Sequence, residues 1–117
     1  MLRETEVLGM TQLDNEFFEE YKHLECLCSD MYSCRDGVRQ YLEGMGSHSS
    51  EGERIVPNWK RDYWKLRGLR KTRNVLAHNM SAYQVCTEQD VEDVKNFADR
   101  IIRQKDPLAV LNRAYIS

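Results

Sequence analysis

Apolar residues recur at three- and four-residue intervals through most of the chain, and that period predicts helices. Phe17, Tyr21, Leu24, Cys28, Met31, Val38, Leu42 and Met45 form one stripe, broken only at Arg35. It predicts a long first helix, capped by Thr11 or Asp14, with Glu16, Glu19 and Glu20 near its positive end. That helix should end near Gly44-Met45-Gly46, and the small, polar, glycine-containing stretch 46–53 should be a loop. Pro57 suits the first turn of a second helix reaching about Asn79. Thr87, followed by Glu88 and Asp90, opens a third helix in a capping-box layout. Its stripe is Val91, Val94, Phe97, Ala98, Ile101 and Ile102, and Arg100, Arg103 and Lys105 favour its C-terminal end. Asp106-Pro107 opens a short last helix through Leu108, Val110 and Leu111. Residues 1–10 have no period and read as a loosely docked lead-in. The fold expected is all-α: an antiparallel bundle of about four helices, forming a single domain over residues 1–117.

The second helix carries an anomaly. Set at about 100° per residue from Leu66, the residues Trp59, Tyr63, Leu69, Leu76 and Met80 fall between about 280° and 60°. Arg73 falls at about 340°, inside that apolar stripe, where a solvated arginine would not sit. Asn74 lies near 80° and His78 near 120°, so Asn74 stands between the other two, and Arg73 and His78 do not share a face. Trp59, Tyr63 and Trp64 read mainly as core, yet one of the adjacent Tyr63 and Trp64 must point away from it.

The net charge of −2 hides an asymmetry. Residues 1–53 carry 4 basic and 12 acidic side chains, whereas residues 54–73 carry 8 basic ones against Asp62 alone. A helix this basic is an electrostatic footprint for nucleic acid, or a partner for the acidic first helix in the fold or in a dimer. No apolar run is long enough to span a membrane, and the N-terminus lacks a signal-peptide layout, so a cytoplasmic protein with no membrane partner is expected. Cys26, Cys28, Cys34 and Cys86 form no Cys-x-x-Cys pair. His23, Cys26 and Cys28 make at most half a zinc site, so free thiols in or near the core are expected. His48, in the expected loop, reads as solvated.

Arg73-Asn74-Val75-Leu76-Ala77-His78 thus sets a guanidinium, a carboxamide and an imidazole within six residues, with apolar residues between them. This resembles the HEPN superfamily, small all-helical domains whose motif is arginine, four to six residues, then histidine, often with asparagine directly after the arginine. The resemblance covers residues 14–105 in architecture and six residues in identity. It implies a metal-independent endoribonuclease, without cofactor, working as a homodimer whose two motifs face one cleft. The residue types suit that chemistry: imidazole takes and gives protons near neutral pH, and arginine binds phosphate oxygens in bidentate form. On this reading His78 is the acid/base, Arg73 the phosphate clamp, and Asn74 orients His78 or binds phosphate. Arg67, Arg70, Lys71 and Asn79 would hold the RNA backbone. Toxins paired with nucleotidyltransferase antitoxins carry tyrosine two residues after the histidine; Met80 stands there instead.

Three functions follow for testing. The first is a ribonuclease acting as a toxin or defence effector. The second is a non-catalytic dimer binding RNA or nucleotide through the basic helix. The third is an antitoxin- or immunity-like partner protein that uses the long first helix.

Overall fold

The computed structural model describes residues 11–78 and 85–116, and every regular element in them is helical. The elements are α1 (Gln12–Tyr32), α2 (Gly37–Ser47), α3 (Ser49–Ile55), α4 (Trp59–His78), α5 (Glu88–Ile102) and α6 (Pro107–Ile116). The protein is an all-α helical bundle. α1 makes its widest contact with α5 and its next widest with α2, while α4 touches α1, α2 and α5. The expected lead-in at 1–10 lies outside the described residues, as do Asn79 and Met80.

The expected long first helix is instead two helices. Ser33 and Asp36 both adopt left-handed backbone (φ 51°), and the side chains of α1 cap the helix that follows. Glu25 accepts from the Val38 N–H at 2.8 Å, and Ser29 Oγ accepts from the Gly37 N–H at 3.2 Å. Gly37 is required by close approach: a Cβ there would lie 2.1 Å from the Ser29 nitrogen. The apolar stripe continued through the turn because Met31 and Val38 keep helical spacing on either side of it. Val38, Tyr41, Leu42 and Met45 still join the core with Phe17, Tyr21, Leu24 and Cys28.

Residues 46–53 are likewise not a loop. α2 runs through Ser47, and α3 begins at Ser49. Gly52 is buried because the Trp59 ring lies against it, so close that a Cβ would fall 2.1 Å from Cε2. Pro57 precedes the second long helix rather than opening it, and Asn58, at φ 63°, makes the turn into Trp59.

The capping box forms as expected: Thr87 Oγ1 accepts from the Asp90 N–H at 3.1 Å, and Asp90 accepts from the Thr87 N–H at 2.9 Å. Val91, Val94, Phe97 and Ala98 are buried, but Ile102 is exposed at the end of the stripe. Asp62 of α4 and Arg100 of α5 form a bidentate ion pair at 2.8 and 3.0 Å, fixing those helices together. Asp106 is buried at the start of α6, where it accepts from the Tyr41 hydroxyl, which in turn accepts from the Leu108 N–H. Cys28 and Cys86 are buried, whereas Cys26 and Cys34 are exposed rather than near the core; all four are free.

Candidate nucleic-acid interface on α4

The core positions of α4 are Trp59, Asp62, Leu66, Leu69 and Leu76. Their burial turns a second face outward, and Trp64, Arg67, Gly68, Arg70, Lys71 and Asn74 line a groove of about 530 Å³ along it. Trp64 is 54% exposed and therefore the member of the Tyr63–Trp64 pair that points away from the core. The Arg67 guanidinium stacks 5.0 Å from the Trp64 ring centroid, which stiffens a cation that would otherwise wander in water. Trp64, Lys71 and His78 follow at seven-residue intervals, so they share this face, and His78 is exposed at the helix end.

Arg73 is partly buried against α1, as its place in the apolar stripe predicts. Its guanidinium lies 5.8 Å from the Phe18 ring centroid and donates to Asn74 Oδ1 at 3.3 Å. Among the described residues it forms no ion pair with a carboxylate. Burial and the Glu25 charge push the Tyr21 hydroxyl above its ordinary range, against the pull of Arg70 and Arg73. Both guanidiniums therefore act on the α1 side of the helix, and Arg70 also reaches the groove.

The structure thus brings Arg67, Arg70, Lys71 and Asn74 into one groove and joins Arg73 to Asn74. Among the described residues no hydrogen bond links His78 to either of them. Phe18, beneath Arg73, escaped the sequence reading because Phe17 occupied the stripe and its neighbour fell off it. Of the two candidate caps, Thr11 caps α1, and Asp14 instead binds the backbone of Val85 and Cys86, which no local pattern signals. His48 is exposed, with Nδ1 3.0 Å from the Gly44 carbonyl oxygen. Among the described residues no group of three or more His, Cys, Asp or Glu side chains is placed to hold a metal ion. No described helix is long and apolar enough to cross a membrane.

Fold and site together define a small all-α bundle presenting a basic groove on one helix face. The chain belongs to the DUF6548 family, a family of unknown function whose pattern it matches over residues 15–115. Comparison with curated proteins and with solved structures gave no match.

Proposed function

We propose that the protein is a metal-independent endoribonuclease of the HEPN type, with RNA lying along the exposed face of α4 and cut beside His78. The observation that carries this reading is the alignment of that face: the groove of Trp64, Arg67, Arg70 and Lys71 leads along the helix to an exposed imidazole. Arg67, Arg70 and Lys71 neutralise backbone phosphates. Arg73, held over Phe18, fixes Asn74 at the groove wall, between the cations and His78.

In the reaction the ribose 2′-oxygen attacks the adjacent phosphorus and the P–O5′ bond breaks. The products are a 2′,3′-cyclic phosphate and a 5′-hydroxyl. One proton leaves the 2′-OH and one arrives at the departing oxygen, so two proton carriers are needed. In a homodimer, His78 from each copy serves one transfer, while Arg73 acts through the Asn74 it fixes. Such an enzyme suits a toxin or defence effector.

A second reading is favoured by one observation: Arg73 sits in the α1–α4 seam rather than in the groove. On that reading the protein binds RNA without cutting it. The partner-protein reading predicts instead a stoichiometric complex with another protein and indifference to His78→Ala. The test is incubation with mixed cellular RNA in excess EDTA. Cleavage is expected from the parent and not from His78→Ala or Arg73→Ala. Intact RNA with salt-sensitive binding to the parent supports the second reading.

A further inference from the structure

Trp64 belongs to two concavities. On one side is the basic groove; on the other is a cavity of about 250 Å³ lined by Met45, Gly46, Ser49, Glu53, Trp59, Lys60, Tyr63 and Trp64. Its volume is just below the roughly 300 Å³ at which pockets for drug-sized ligands begin, which leaves room for one planar heterocycle. Three aromatic rings line it, and Tyr63 and Trp64 meet edge to face at 5.5 Å. Glu53 and Lys60 put an acceptor and a donor on its wall, which is what the polar edge of a base needs.

Gly68 points the same way. It lies mid-helix on the exposed face, where glycine weakens a helix relative to alanine. No packing explains it, since a Cβ there would meet nothing within 4 Å. It lines the basic groove next to Trp64 and leaves bare backbone where a ligand's sugar and phosphate would pass.

We infer that the two concavities form one site for single-stranded RNA, with phosphates along Arg67, Arg70 and Lys71 and one unpaired base in the Trp59–Tyr63–Trp64 cavity. A base must be out of its stack to enter, so a duplex is excluded from the cavity and keeps only the phosphate contacts. The inference rests on the RNA part of the function proposed above, but not on cleavage.

The test is fluorescence anisotropy of a labelled 12-nucleotide RNA with His78→Ala protein, so that cleavage does not enter. The strand is compared with its duplex, with a fully abasic strand, and with Trp64→Ala and Trp64→Phe in the same background. Circular dichroism checks the fold, which the exposed position of Trp64 should leave intact. Expected are single-strand binding several-fold tighter than duplex, a loss of about five- to hundredfold in Trp64→Ala or with the abasic strand, and recovery in Trp64→Phe. Equal binding of duplex and single strand, indifference to Trp64→Ala, or no binding of any RNA would each overturn the inference. Trp64-dependent binding by a parent that leaves RNA intact sinks the ribonuclease reading alone. Cleavage with no single-strand preference sinks this inference alone.

Discussion

The Asp14 carboxylate accepts hydrogen bonds from the Cys86 N–H at 2.9 Å and the Val85 N–H at 3.0 Å, joining the first turn of α1 to the chain entering α5. Asp14 is fully buried and lies at the positive end of α1, where an anion is stabilised. This contact anchors the far side of the connection that leaves α4 at His78. Asp14→Ala orphans two backbone donors, at about 1–3 kcal/mol each. A loss of about 2–6 kcal/mol by urea denaturation is therefore expected, with Asp14→Asn less damaging. An unchanged midpoint in Asp14→Ala would show that the entry to α5 is held by other contacts.

Two glycines of the same chain should respond oppositely to alanine. Gly37→Ala drives a Cβ into the backbone of Cys28 and Ser29 and forces α1 and α2 apart, so a loss of more than about 3 kcal/mol is expected. Gly68→Ala meets open space and gains the helix propensity of alanine, about 1 kcal/mol. Thermal melting of the two variants checks both signs. If Gly68 serves the groove, its alanine variant should be the more stable protein and the weaker RNA binder.

The thiols divide by burial. Desolvation, joined by the Glu25 charge, pushes Cys28 up to about 12; desolvation, joined by the Asp14 hydrogen bond, pushes Cys86 up to about 12. Unfolding returns each to its ordinary value of 9.0, so above that pH the unfolded chain gives up protons that the fold retains. Their contribution to stability is complete below about pH 9 and falls as pH rises from 9 towards 12. Burial raises Tyr41 and Tyr21 in the same direction, which deepens the alkaline loss. With a thiol reagent at pH ~8, Cys26 and Cys34 should react in the native protein, and Cys28 and Cys86 only after unfolding. Four equally fast thiols would contradict this packing.

Helical spacing made most of the bundle legible. The stripes of α1, α4 and α5, the Thr87 capping box, the Asp106-Pro107 start of α6 and the inward place of Arg73 all follow from period and local chemistry. What it missed depends on contacts distant in sequence. The break at 33–36 is held by Glu25 and Ser29 reaching forward from α1, and α3 is held by the Trp59 ring on Gly52. Both sites carry glycines, but composition alone does not tell a glycine that opens a loop from one that admits a neighbouring ring or backbone. The basic residues of the groove were readable as a charged run. That Trp64 and Gly68 join them, while Arg73 turns to Phe18 and Asn74, became visible only once α4 was packed against α1.

The proposed acid/base cleavage of RNA at the Arg73–His78 motif is tested most directly by the chemistry of the product ends. RNA treated with the parent protein in excess EDTA should carry 2′,3′-cyclic phosphates and 5′-hydroxyls, and RNA treated with folded His78→Ala should carry neither. Equal yields of those ends from parent and variant, or intact RNA from a folded, dimeric parent, would contradict it.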